Sequence, residues 1–242
     1  MRCMDVSYGV LSEDGGPDRL EVARDVAADF VSDRPNDNIG LTIFAGEAFT
    51  QCPMTTDHAS LLNLMRNVNP NLVMSGLIQD GTAIGMGLSN SISRLKDSKA
   101  KSRIIILLTD GSNNVGDISP MTAAQMAKTF GIRIYTIGFG TNQMARVPVI
   151  VNGQKQYVQQ QGEIDYKTLK DIATMTNGNF YRASSRAELS NIYNDIDKLE
   201  KSKLSTSSYS KLYDIYQPFA FAALISLLLE ILLRMTVFRR IP

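Results

Sequence analysis

The feature that most constrains this chain is a set of short apolar runs at residues 1–6, 39–45, 104–108 and 132–139, the last two of them near-continuous. They alternate with segments of helical periodicity. Strands that are apolar at almost every position are buried on both faces, as in parallel sheets covered by helices. Between the runs, residues 19–31 place Leu20, Ala23, Ala27 and Phe30 on one helical face, and residues 82–95 and 120–130 repeat that spacing. Ser119 before Pro120 reads as a helix cap followed by a first-turn proline. The pattern predicts an α/β domain with a doubly wound, mostly parallel sheet.

Two departures from strict alternation are expected. The turn at 45–49 is short enough for 48–52 to return as an antiparallel edge strand against 39–45. Asn152-Gly153 favours a type I′ turn, making 147–151 and 155–158 a hairpin that projects from a strand end. Helices at 165–175 and 186–199 then flank a last strand at 179–182, with Gly178 closing the first of them.

Past residue 199 the composition changes. The chain reads as a domain at 1–200, a Ser/Lys-rich linker at 201–216, a transmembrane helix at 217–238 and a short basic tail at 239–242. Glu230 interrupts the apolar helix, but Arg234 stands four residues on, in ion-pairing register. Arg234, Arg239 and Arg240 after the span lean toward a cytoplasmic C-terminus. The chain opens inside a strand with no room for a signal peptide, so a longer protein is expected.

Charge and composition exclude several functions. Lys and Arg number 25 against 24 Asp and Glu, with no basic cluster to form a nucleic-acid footprint. Cys3 and Cys52 lack metal-ligand spacing and read as small buried hydrophobes. The one histidine, His58, follows Asp57, a candidate N-cap, and reads as a solvated first-turn residue. Nothing resembles a nucleophile elbow.

The chemistry lies in three stretches: Asp5-Val-Ser7, Asp80-Gly-Thr82 and Thr109-Asp-Gly-Ser112. In an open α/β sheet, ligands bind outside the carboxyl ends of the strands, where strand order reverses. Strands one and 104–108 are natural neighbours there, which aims Asp5 and Asp110 into one crevice. Two carboxylates held close repel unless a cation or proton lies between them. With Ser7 and Thr82 as further hard oxygen donors, the set suits Mg²⁺ or Mn²⁺.

In order and placement these stretches resemble the metal-ion-dependent adhesion site of von Willebrand factor A domains, over roughly residues 1–200. The stretches 18–25, 37–49 and 51–57, with the terminal apolar helix, further resemble the Bat (aerotolerance) family, in its BatA type. The resemblance implies that Asp5, Ser7, Thr82 and Asp110 are metal ligands. It also implies that this chain lacks an N-terminal membrane segment and part of strand one. The family motif is Asp-x-Ser-x-Ser; here it reads Asp5-Val-Ser7-Tyr8-Gly9, and Gly9 supplies no side-chain oxygen.

The expected function is a protein-binding module anchored in the inner membrane, its globular domain periplasmic, whose cation captures an acidic residue of a partner. It is not expected to be an enzyme. The resemblance implies an envelope or oxidative-stress (aerotolerance) complex, with other Bat-type membrane proteins and a MoxR-type AAA+ ATPase as partners. Two alternatives stand beside it. One is a metal-independent scaffold with a degenerate site; the other is metal-dependent phosphoryl transfer, which would need a second acid two residues after Asp5, where Ser7 stands.

Overall fold

The computed structural model describes residues 1–11, 19–68, 79–140, 144–151, 154–161, 164–206 and 217–236. The chain divides into two compact units, Met1–Ser202 and Lys203–Pro242.

In the first unit, β1 (Arg2–Asp5) leads through a 3-10 turn (Tyr8–Leu11) to α1 (Arg19–Ser32). The hairpin of β2 (Ile39–Phe44) and β3 (Ala48–Thr55) follows, then α2 (His58–Arg66) and α3 (Ile84–Leu95). Next come β4 (Ile104–Thr109), α4 (Pro120–Thr129), β5 (Arg133–Phe139), β6 (Met144–Val151) and β7 (Gln154–Gln161). The unit ends with α5 (Tyr166–Met175), β8 (Phe180–Ala183) and α6 (Arg186–Thr206). Six strands form one sheet in the order β3-β2-β1-β4-β5-β8, parallel throughout except for β3. The expected fold class is therefore present, with the antiparallel edge strand running on to Thr55. Pro53 fits in β3 because an edge strand can leave one side of its ladder unpaired.

The near-continuous apolar runs are divided between two cores by the two-residue period of a strand. Met4, Ile106, Leu108, Tyr135 and Ile137 pack with Leu20, Ala23, Ala27 and Phe30 of α1. Cys3, Ile105, Leu107 and Ile134 pack on the opposite face with Ile84, Leu88 and Ile92 of α3 and Leu169 and Ile172 of α5. Each fully buried Leu or Ile contributes about 1.5–3 kcal/mol relative to exposure. Cys3 and Cys52 are both buried thiols, but they belong to opposite cores. Burial pushes the Cys3 thiol up to about 12.

Helix ends follow local chemistry. Asp57, Ser119 and Asp165 accept from the backbone N–H groups of Ser60, Thr122 and Thr168 at 3.0, 3.1 and 3.0 Å. His58 is half-buried rather than solvated, with Nε2 2.8 Å from the Asp37 carbonyl. Helix α5 ends differently from expectation. The left-handed residue is Asn177 (φ 57°), and Gly178 N–H donates to Ala173 C=O at 2.9 Å while Asn177 N–H donates to Thr174 C=O, a Schellman closure. Gly178 is needed for a different reason: a Cβ there would sit 1.9 Å from the Ile134 carbonyl oxygen.

The β6–β7 hairpin forms its own two-stranded sheet, longer at both ends than expected, and β6 runs beside the 3-10 turn. Its turn at Asn152-Gly153 lies outside the described residues. At the pole of the sheet where β4 and β5 begin, buried Glu200 of α6 accepts from Ser102 at 2.6 Å and from Arg133 and the Tyr135 hydroxyl.

In the second unit, α7 (Gln217–Thr236) occupies most of the expected membrane-spanning segment 217–238. Among the described residues, however, no helix is long and apolar enough to cross a membrane. Phe219, Phe221, Leu224, Ile225 and Leu227 are all exposed. The Arg234 side chain lies outside those described.

Candidate functional site

Strand order reverses between β1 and β4, and both strands end at that switch point. Asp5 is the last residue of β1 and Thr109 the last of β4, the two strands being in register through Met4 and Leu108. Sheet topology thus brings Asp5 and Asp110 together although 105 positions separate them. Thr82 arrives from the loop before α3, which starts at Ile84, two residues later than the start expected at 82. Its loop is fixed at both sides. Ala83 N–H donates to Ala45 C=O at 2.7 Å, and Thr82 N–H donates to Asn114 Oδ1 at 2.8 Å. Gly81 makes the turn possible with φ 131°, in a place where a Cβ would strike Val115.

All four sequence-derived residues, Asp5, Ser7, Thr82 and Asp110, are buried in this crevice. The Ser7 and Thr82 hydroxyls stand 3.5 Å apart. Ser7 N–H donates to Asp5 Oδ1 at 2.9 Å and the Thr109 hydroxyl donates to Asp5 Oδ2 at 2.6 Å. A Cβ on Gly111 would lie 3.2 Å from the Thr82 hydroxyl, and one on Gly9 would lie 3.1 and 3.2 Å from the two Asp110 oxygens.

The electrostatics follow from burial. Loss of solvent pushes the Asp5 carboxyl up to about 6, against the Thr109 and Ser7 hydrogen bonds that pull it down. Burial and then the Asp5 charge push Asp110 up to about 7, with Arg19 pulling it back. Arg19 was not foreseen here. Its Nη1 donates to Asp110 Oδ2 at 2.9 Å, and both side chains are buried. One guanidinium cannot neutralise two ionised carboxylates, so the pair retains a tendency to hold a proton.

The donor set can be compared with a hard divalent cation. In favour are two carboxylates, two adjacent hydroxyls and a buried Asp110 Oδ1 without a hydrogen-bond partner among the described residues. Against it, Gly9 contributes no oxygen and Arg19 already holds one oxygen of Asp110. Among the described residues, no group of three or more His, Cys, Asp or Glu converges as a metal cluster. The four oxygen donors fit a weak hard-metal site, not a dedicated cage.

Sequence reading missed Arg19, Thr109, Asn114 and Gly140. Gly140 (φ 130°) ends β5, where a Cβ would sit 2.6 Å from the Arg19 guanidinium. One signal for Arg19 was present: a cation in the first turn of α1 opposes the helix dipole, which favours acids there, and so asks for a specific partner. Asn114 carries no such signal, and Thr109, although inside the Thr109-Asp-Gly-Ser112 stretch, could not be read as the partner of Asp5, because that hydrogen bond depends on which strands are neighbours.

The model of the von Willebrand factor type A domain matches residues 3–195. An uncharacterized protein of Borreliella burgdorferi is 31% identical over 211 residues, covering 87% of this chain and 60% of its own length. The chain spans about three fifths of the curated relatives it matches. Among solved structures, BatB from Bacteroides thetaiotaomicron superposes with a TM-score of 0.70 at 28% identity, covering 83% of this chain and 97% of that one. An aerotolerance-related membrane protein from Bacteroides fragilis gives 0.66 at 26% identity, with 82% and 98% covered. With its sheet order, switch-point crevice and these likenesses, the chain belongs to the von Willebrand factor type A domain family, in a Bat-like form.

Proposed function

We propose that this domain is a membrane-associated protein-interaction module whose crevice captures a carboxylate of a partner through a divalent cation. The observation that carries the reading is the burial of Asp5, Ser7, Thr82 and Asp110 in one crevice at the β1/β4 switch point. Mg²⁺ or Mn²⁺ held there would offer an open position to an incoming Asp or Glu. This chain's residues supply the rest: Thr109 and Ser7 N–H orient Asp5, and Asn114 fixes the Thr82 loop. This reading requires no catalytic step.

Membrane association rests on the exposed apolar side chains of α7 and on the likeness to an aerotolerance-related membrane protein. An inner-membrane location with a periplasmic domain fits this reading. The partners it favours are other Bat-type membrane proteins and a MoxR-type AAA+ ATPase, in an envelope-stress complex. The test is co-purification of the full chain with those co-expressed partners, in Mn²⁺ or in EDTA. Capture lost in EDTA and in Asp110→Ala supports the reading, and capture indifferent to both overturns it.

A second reading, a metal-independent scaffold, is favoured by the Arg19–Asp110 bridge and by Gly9. Under it, partner capture survives chelation.

A further inference from the structure

Two peculiarities of the crevice have a common physical origin. The first is Gly9, where the family motif has a serine. A side chain there would bring its Cβ to 3.1 Å from Asp110 Oδ2 and 3.2 Å from Oδ1, against the carboxylate that Arg19 holds. The second is Gly140, whose missing Cβ leaves room for the Arg19 guanidinium and whose φ of 130° suits glycine. A glycine thus stands against each partner of one buried ion pair. The pair is seated in the fold, with side-chain exposures of 6% for Arg19 and 3% for Asp110.

We propose that Arg19 is an internal counter-ion that must leave Asp110 before a divalent cation is held there, so that this side chain sets the metal affinity and selectivity of the crevice. The inference rests on the metal-site reading above. Electrostatic repulsion gives it direction. Arg19 already lies against Asp110 Oδ2. A divalent cation taken up beside it would set two positive groups against one carboxylate, in a site with little water to screen them. Exchanging Arg19 for the cation removes that repulsion. Exchange also releases Asp110 Oδ2 for the metal, while Oδ1 has no hydrogen-bond partner among the described residues. The charge-assisted Arg19 hydrogen bond is thereby subtracted from metal binding. A monovalent cation has too little charge to compensate, so the exchange selects divalent ions.

The experiment is calorimetric titration of Mn²⁺ into the full chain in detergent micelles, comparing wild type with Arg19→Gln and Arg19→Met. The melting temperature of each is recorded in EDTA and in Mn²⁺. Loss of a charge-assisted hydrogen bond to Asp110 should tighten Mn²⁺ binding at least about ten-fold in either variant. Asp110→Asn added to Arg19→Gln should abolish the gain. In EDTA the Arg19 variants should melt below wild type, and saturating Mn²⁺ should raise them by more than it raises wild type. Should Arg19→Met fail to fold, Arg19→Gln, which keeps a planar amide, carries the comparison. Folded variants that bind Mn²⁺ no more tightly than wild type overturn the inference and leave partner capture to its own test. Tightened Mn²⁺ binding alongside EDTA-indifferent capture sustains the inference and removes the capture mechanism.

Discussion

The Thr109 hydroxyl donates to Asp5 Oδ2 at 2.6 Å, so the last residue of β4 holds the carboxylate at the end of β1. The bond crosses the switch point of the sheet. Thr109→Val keeps the β-branched shape and deletes the donor. It should destabilise the metal-free protein by about 1–2 kcal/mol, the cost of leaving a buried acceptor short of one hydrogen bond. Urea unfolding in EDTA checks this, and an unchanged midpoint at unchanged slope would show that the bond contributes nothing.

The raised carboxyls make stability depend on pH. Asp5 and Asp110 are pushed to about 6 and about 7 in the folded protein, against an ordinary 3.8. Between those values the folded state binds more protons than the unfolded one, so stability falls as pH rises through the window. Well-capped acids such as Asp57 and Asp165, held below the ordinary range by their hydrogen bonds to Ser60 and Thr168, act in the opposite sense at lower pH. The comparison must therefore be differential. In EDTA at pH 7.5, Asp5→Asn should exceed wild type in stability by on the order of 2 kcal/mol, the advantage vanishing toward pH 4. Parallel melting profiles for the two proteins across that range would refute it.

Glu200 should report on the opposite pole of the sheet. Burial alone would raise its carboxyl, but hydrogen bonds from Ser102, Tyr135 and Arg133 outweigh burial and hold it low. Glu200→Gln preserves volume while removing the charge that faces Arg133. A loss of about 1–3 kcal/mol is expected, since Arg133 is partly solvated and recovers some hydration. Guanidinium chloride, which screens ion pairs, should show a smaller loss than urea.

Gly178→Ala should be far more damaging than its size suggests. The added Cβ would meet the Ile134 carbonyl oxygen at 1.9 Å, which is backbone and cannot swing aside. The β5–β8 pairing must then separate. The expected loss is about 3 kcal/mol, in the range of severe overpacking, and amide hydrogen exchange should accelerate first in Phe180–Ala183. Slow exchange there in the variant would contradict this.

Much of the fold was legible because burial on both faces leaves a coarse mark, the near-continuous apolar strands at 104–108 and 132–139. Element edges were less legible. The hairpin and the edge strand each run a few residues longer than expected and the last strand shifts by one, and α3 begins at Ile84 because the 80–83 loop is hydrogen-bonded to Ala45 and Asn114 instead. Asp5, Ser7, Thr82 and Asp110 could be named from sequence because each sits at a strand or helix boundary with its own local pattern. Arg19 could not, since its meaning depends on space left by two glycines more than a hundred positions apart, Gly9 and Gly140. A helix described over Gln217–Thr236 was expected from hydropathy, but an apolar run specifies a helix before it specifies a span.

The Glu200 cluster also has a mechanical consequence that its position predicts. Ser102 and Arg133 lie where β4 and β5 begin, whereas Asp5, Thr109 and Asp110 lie where strands end, about 20 Å away along seven residues of β5. Tension entering through the last turns of α6 reaches the Glu200 staple first. Arg133 and Tyr135 on β5 and Ser102 on the approach to β4 would share that load. The crevice stands at the opposite end of those strands, so a pull along α6 is expected to load the staple before it reaches Asp5 and Asp110.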